Sequence, residues 1–231
     1  MGDEEVEPSD QELQRAAHSL GAEYGVLMTA VAASWSASLA RTTIFLGVLS
    51  AAGVALGFVA QSGANGASLS QVALVILPLL LFLGVATFVR LVQVQREAIL
   101  YITGMNRIRH FMQQRAPASR AYFVLPPYDD EAAIYRGLGA GIHRRRPRLP
   151  LLYLAVQTQG IVGIVTAGVA AALTAIALGW ISTLVAWASA IVAFLVTVAA
   201  LFTYWQLSLR ELFGSIRPIN PTPPDQLEAP F

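Results

Sequence analysis

Three groups of residues have the types and spacing that could do chemistry. Asp129, Asp130 and Glu131 are consecutive acids that could hold a divalent cation. Arg144, Arg145, Arg146 and Arg148 form a cluster that could contact phosphate. His18, His110 and His143 are the three histidines, and they lie in separate segments without the spacing of a metal motif. Each group also has a plainer reading. The acids open a short helix expected over 130–137, where carboxylates in the first turn favour the helix dipole and Asp129 stands at the cap. The arginine cluster immediately precedes a long apolar block, so it reads first as an anchor for anionic lipid headgroups. A receptor for phosphate, a nucleotide or an acidic partner is its sharper reading. Nucleic acid is not expected as a partner, because the cluster is pinned near a membrane.

The chain has no cysteine, which removes disulfides and thiolate chemistry. The run Gly137-Leu-Gly-Ala-Gly141 lacks the spacing and the preceding strand of a dinucleotide site. No nucleophile–base pair is visible. No catalytic residue, metal or cofactor is therefore expected.

The elements that must position these residues are set by two blocks, 42–89 and 149–209, that contain no charged residue. A helix needs about 20 apolar residues to cross roughly 30 Å of hydrocarbon, so each block holds two spans. The composition agrees: 13% of the 231 residues are charged, where soluble domains carry about 25%. Turn residues at 61–71 and 179–183 divide the blocks. Spans are expected near 43–60, 72–89, 154–178 and 184–205. The fold class is all-α: a polytopic membrane protein with four transmembrane helices in two hairpins.

All fifteen basic residues are arginine, and eleven of them lie between Arg90 and Arg148. The hairpin tips have none. The positive-inside rule then puts both termini and the central segment in the cytoplasm. The absence of lysine, with abundant alanine, suggests a GC-rich bacterial source, and hence an inner (plasma) membrane. The acidic N-terminus lacks the basic start and apolar core of a signal peptide.

Outside the spans, Ser9-Asp10-Gln11-Glu12 is a capping box that should start a helix. Leu13, Ala17, Leu20, Tyr24, Leu27 and Val31 form an apolar seam at heptad spacing. Only Arg41 and Thr42 separate this segment from the first span, so one continuous helix is expected. The second span should also continue past the membrane. Leu91, Val94, Ala98, Ile102, Met105, Ile108 and Met112 make a second stripe, and Pro117 ends it. These extensions should run antiparallel as a cytoplasmic helical stalk. Counting outward from Arg41 and Arg90 brings Glu23 level with Ile108 and Glu12 level with Ser119. Glu12 and Glu23 would then face Arg107, Arg109, Arg115 and Arg120, fixing register more than stability.

The organisation expected is an acidic disordered N-terminus (1–8), a cytoplasmic or interfacial helix (9–41) and a first transmembrane hairpin (42–95). An arginine-rich helical region (96–148), a second hairpin (149–209) and a proline-rich, disordered or extended tail (210–231) follow. Helix packing in lipid depends on small residues. The candidates are Gly53 and Gly57, then Gly163, Ala167, Ala171, Ala175 and Gly179 at spacings of four.

Three stretches carry a resemblance. They are 23–47 (Glu-Tyr-Gly-Val-Leu-Met-Thr-Ala-Val-Ala-Ala-Ser-Trp-Ser-Ala-Ser-Leu-Ala-Arg-Thr-Thr-Ile-Phe-Leu-Gly), 87–97 (Thr-Phe-Val-Arg-Leu-Val-Gln-Val-Gln-Arg-Glu) and 104–110 (Gly-Met-Asn-Arg-Ile-Arg-His). Over residues 20–138 the chain resembles uncharacterised actinobacterial multi-pass membrane proteins, which implies a shared architecture and no activity. The helix–hairpin–helix plan is also similar, in architecture alone, to two-span SLATT membrane effectors, which lack a second hairpin. The function expected is that of a non-enzymatic inner-membrane protein, a homo-oligomer with an interaction or sensing surface on the cytoplasmic side. Its partners would be the bilayer, anionic headgroups, and a cytoplasmic protein or nucleotide. An oligomeric channel or pore-forming effector is the alternative, and a membrane-bound enzyme acting on lipid or nucleotide comes third.

Overall fold

The structure, a computed structural model, describes residues 9–62, 66–137 and 157–223. Helix α1 spans Asp10–Gln61 and α2 spans Gly66–Arg115. A 3-10 helix at Pro117–Tyr122 follows, then α3 at Glu131–Gly137, α4 at Thr158–Leu178 and α5 at Thr183–Ser215. No strand occurs among the described residues. Helices α1, α2, α4 and α5 are each long and apolar enough to cross a membrane, as befits a polytopic all-α membrane protein.

The start of α1 is the reciprocal cap that its sequence encodes. The Ser9 N–H and hydroxyl both donate to Glu12 Oε2, at 2.9 and 3.0 Å, while the Glu12 N–H donates to Ser9 Oγ at 3.4 Å. Two otherwise orphaned donors are thereby satisfied. Helix α1 runs through Arg41 and Thr42 without a break, and α2 runs through Pro78. Helix α5 continues ten residues past the span expected to end at 205, because no Pro or Gly interrupts it before Gly214.

The described residues divide into two compact units. One takes those up to Ser34, those from Glu97 through α3, and those from Ile216 onward. Within it, Ala98, Ile102, Met105 and Ile108 of α2 are buried, as the seven-residue stripe predicts, and Ile99 joins them. The seam of α1 meets this stripe. A Cβ on Gly104 would stand 3.1 Å from Leu27 Cδ1, so the missing side chain lets the helices approach closely. Ala133 and Ile134 of α3 are fully buried in the same unit.

The other unit takes Trp35–Arg96 and the residues from α4 to Ser215. Ala73, Leu77, Leu80 and Val169 form its core, with Leu49, Ala52 and Leu56 of α1 packed against them. Helices α4 and α5 pair as a hairpin. Of the most apolar window in each helix, 28% is buried for α2 and 33% for α4, but only 6% for α1 and for α5. The last two therefore present most of their apolar surface to the surroundings, which suits lipid rather than water.

Candidate functional site

Most of the polar side chains with specific geometry lie in the first unit. Asn106, Arg109, His110 and Gln113 recur at i, i+3, i+4 and i+7 on α2, so they share one face. The double proline at 126–127 lies beside that face, with the Pro126 carbonyl turned to α2 and the Pro127 carbonyl to Asn220. Asn106 donates from Nδ2 to the Tyr128 carbonyl at 2.7 Å and accepts from Arg109 Nη1 at 2.7 Å. Arg109 is 2% exposed. It also donates to the Pro126 carbonyl at 3.0 Å and, from Nη2, to the Tyr24 hydroxyl of α1 at 2.9 Å. A buried guanidinium is thus satisfied by carbonyl and hydroxyl oxygens, which its planar fork suits better than an ammonium would.

Beside it, Asp129 anchors the segment 216–223. Its side chain is 0% exposed. Oδ2 accepts from Arg107 Nε at 2.8 Å and from the Ile219 N–H at 2.9 Å. Oδ1 accepts from the Asn220 N–H at 2.8 Å, and the Asp129 N–H donates to the Asn220 carbonyl at 3.1 Å. Arg107 Nη2 donates to the Arg217 carbonyl at 2.9 Å, and Thr222 Oγ1 donates to Asp130 Oδ1 at 2.6 Å. Residues 216–223 therefore form a strap held chiefly through its own backbone. The tail after Arg217, expected to be disordered or extended, forms no helix or strand over 217–223, bends at 219–220 and is docked over 217–222. Asp129 is not the cap of α3, as its position suggested. Its carboxylate is turned to the strap, because two adjacent N–H groups and a guanidinium outbid one helix terminus.

Asn220 adds a further contact. Its Nδ2 donates to the Pro127 carbonyl at 3.2 Å and lies 2.7 Å from His110 Nδ1. The Pro127 carbonyl orients this amide nitrogen as a donor, so His110 Nδ1 accepts from it. His110 Nε2 lies 2.7 Å from Gln114 Nε2. No buried side-chain nitrogen or oxygen among the described residues lacks a partner.

Burial works to raise the Asp129 pKa. The Ile219 N–H, Arg107 and the Asn220 N–H outweigh it and hold the carboxyl below its ordinary 3.8. A carboxyl depressed on folding stabilises fully above its ordinary pKa, and the gain is lost as pH falls through the lower folded value. Protection of the Ile219 and Asn220 amides against hydrogen exchange is expected to hold down to pH about 4 and collapse only below it. Loss of protection nearer neutrality would contradict this assignment. Burial, followed by the Glu131 carboxylate, raises the Tyr135 phenol above its ordinary value.

The other residues singled out by sequence lie as follows. Arg107 and Arg109 enter the site through Asp129, Asn106, Pro126 and Tyr24, while Glu12 is used by the α1 cap and Glu23 is exposed. Arg115 lies 5.8 Å from the Phe111 ring centroid, and Arg120 is exposed in the 3-10 helix. Arg144, Arg145, Arg146 and Arg148 lie outside the described residues.

Of the packing residues, Ala167 is fully buried, and a Cβ on Gly163 would stand 3.2 Å from Phe88 Cε2. Ala171 and Ala175 are half-buried, and Gly179 follows α4 in an exposed turn. Gly53 and Gly57 have nothing within 4 Å of their Cβ positions, so they do not supply close approach among the described residues. Gly84 does, against Thr166 and Phe45. Gln159 donates to Gln95 Oε1 at 3.2 Å, and Trp205 Nε1 donates to the same oxygen at 2.9 Å.

Sequence reasoning missed Asn106, His110, Asn220 and Tyr24 as members of one cluster. The polar i, i+3, i+4, i+7 repeat was its only local signal, and a solvated helix face has the same pattern. No family model, curated protein or solved structure matches the chain.

Proposed function

We propose that the chain is a non-enzymatic, oligomeric multi-pass protein of the bacterial inner membrane whose interaction or sensing surface is cytoplasmic. The observation that carries this reading is the clamp at Asp129. Both of its oxygens and the Arg107 fork are committed to holding the strap. A carboxylate so engaged is poised to fasten and release a segment rather than to move a substrate proton. Release would expose Asp129, Asp130 and Arg107 together, a mixed-charge surface suited to a cytoplasmic protein or nucleotide partner.

The orientation rests on the arginines. Eleven of fifteen lie between Arg90 and Arg148, and the positive-inside rule keeps such a segment in the cytoplasm. Oligomerisation is supported by α1. Gly53 and Gly57 are open, and small residues at this spacing let helices associate closely in lipid.

The absence of native cysteine makes a test direct. Ser36 is exposed, and Ser36→Cys is expected to react with a membrane-impermeant maleimide from the cytoplasmic face alone. The same protein in planar bilayers is expected to pass no unitary current across ions and voltages. Labelling from outside overturns the orientation, and a reproducible conductance replaces this reading with a pore.

A further inference from the structure

The second unit contains a groove of about 420 Å³, lined among others by Phe88, Gly160, Gly163, Phe194, Phe202 and Trp205. That volume lies within the range of ligand sites. Gly163 lets the Phe88 ring pack into the groove wall, since a Cβ there would stand 3.2 Å from Phe88 Cε2. The groove opens sideways: Ile164 and Leu195, which also line it, are 42% and 59% exposed. It is apolar along its length and polar at one end, where Trp205 Nε1 and Gln159 Nε2 both donate to Gln95 Oε1.

Three further observations choose its occupant. First, the α5 wall runs from Phe194 to Trp205, about 16 Å at 1.5 Å per residue, and one leaflet of hydrocarbon is about 15 Å thick. Second, the polar end adjoins the limit of the charge-free blocks, where Arg90 follows Phe88 by two residues and Arg210 follows Trp205 by five. Third, the charge there suits an anion. Arg96 faces Glu211 at 3.7 Å, while Arg210 is exposed on the turn beyond the groove. On the helical wheel Arg210 lies about 20° from Ala199, a lining residue.

We infer that the groove is a binding site for one anionic phospholipid, its acyl chain along Phe194–Trp205 and its phosphate at Arg210. A guanidinium pairs with phosphate by charge-assisted hydrogen bonds. The Gln95–Trp205 bond holds the indole at the depth where amphipathic rings are favoured, so the ring forms the groove's inner end. Lipid here would fill the surface between α4 and α5 that side chains leave open.

Trp205 makes the test spectroscopic. Trp35, Trp180 and Trp187 are exposed and can become Phe, leaving Trp205 as the sole reporter in the full chain. The protein is reconstituted in phosphatidylcholine vesicles with a minor fraction of chain-brominated phosphatidylglycerol, or with the same fraction of brominated phosphatidylcholine. Quenching should favour the anionic lipid by about fivefold in apparent occupancy, the enrichment one arginine near a membrane surface supplies. Arg210→Gln should abolish that preference while quenching persists. Ala199→Phe, at an exposed lining position, should reduce quenching by both lipids. Equal quenching by the two lipids in the parent protein overturns the anionic assignment. Quenching unchanged by Ala199→Phe overturns the groove as the site.

Discussion

Replacing Asp129 by alanine is expected to release residues 216–223 and to lower the stability of the unit that holds them by about 3 kcal/mol. The figure follows from removing one partner of a buried ion pair, about 3–5 kcal/mol. The low end applies because Arg107 is 38% exposed and regains water when the carboxylate is lost. The Ile219 and Asn220 N–H groups lose their acceptor outright, and a buried unsatisfied donor costs about 1–3 kcal/mol. Detachment is the cheaper outcome, since a free strap can hydrogen-bond to water.

Asp129→Asn is expected to fail as well, despite its matched shape. Each carboxylate oxygen receives a donor from the strap, and Oδ2 receives Arg107 too. An amide must turn its NH2 toward one of them. Asp130→Ala removes only the Thr222 hydroxyl bond and should cost about 1 kcal/mol. Hydrogen exchange read by mass spectrometry checks the series. The peptide bearing Ile219 and Asn220 should exchange at the rate of free chain in both Asp129 variants and stay protected in Asp130→Ala. Protection retained in Asp129→Ala would show that the strap is held by something else.

The parts of this architecture that repeat along the chain could be read from it. The α2 stripe from Leu91 to Ile108 is buried almost throughout because a helix repeats its faces every 3.6 residues. The Ser9–Glu12 box formed because both partners lie within one turn. Counting from Arg41 and Arg90 levelled Glu23 with Ile108, and Tyr24 meets Arg109 in the structure. Antiparallel helices of equal rise conserve such sums. The charge pairing imagined at that level is a different matter, because an arginine selects its partner by geometry over a few ångströms. Arg109 takes oxygens from Asn106, Pro126 and Tyr24, while Glu23 stays exposed. The strap was illegible for another reason. Asp129 and Asn220 are 91 positions apart, and no periodicity spans a return of that length. The Asp129–Asp130–Glu131 run looked complete as a helix start, so nothing local asked for a distant partner.

Close helix approach in the second unit was legible at Gly163 and Ala167 but not at Gly84, where its consequence is largest. A paired motif such as Gly53 and Gly57 advertises itself in sequence, yet a glycine matters only where a neighbour occupies its missing side chain. A Cβ on Gly84 would overlap Thr166 Oγ1, and would stand 3.0 Å from Thr166 Cγ2 and 3.2 Å from Phe45 Cζ. Neither neighbour can yield easily. Thr166 and Phe45 are fully buried, and the Thr166 hydroxyl is tied to the Val162 carbonyl at 2.7 Å.

Gly84→Ala is therefore expected to destabilise the packing of α1, α2 and α4 by about 1–3 kcal/mol, the usual penalty of overpacking. Gly84→Leu should prevent it from forming. Thr166→Ala deletes both of the clashing Thr166 atoms, so the Gly84→Ala/Thr166→Ala pair should recover part of the loss. The coupling between the two sites should be favourable in a double-mutant cycle. Gly53→Ala and Gly57→Ala, with open space around them, should be near neutral for the isolated chain. Thermal unfolding in detergent, at a protein concentration low enough to leave single chains, separates the cases. Equal losses at Gly53, Gly57 and Gly84 would mean that helix propensity or assembly between chains, rather than contact with Thr166, sets the tolerance for a side chain.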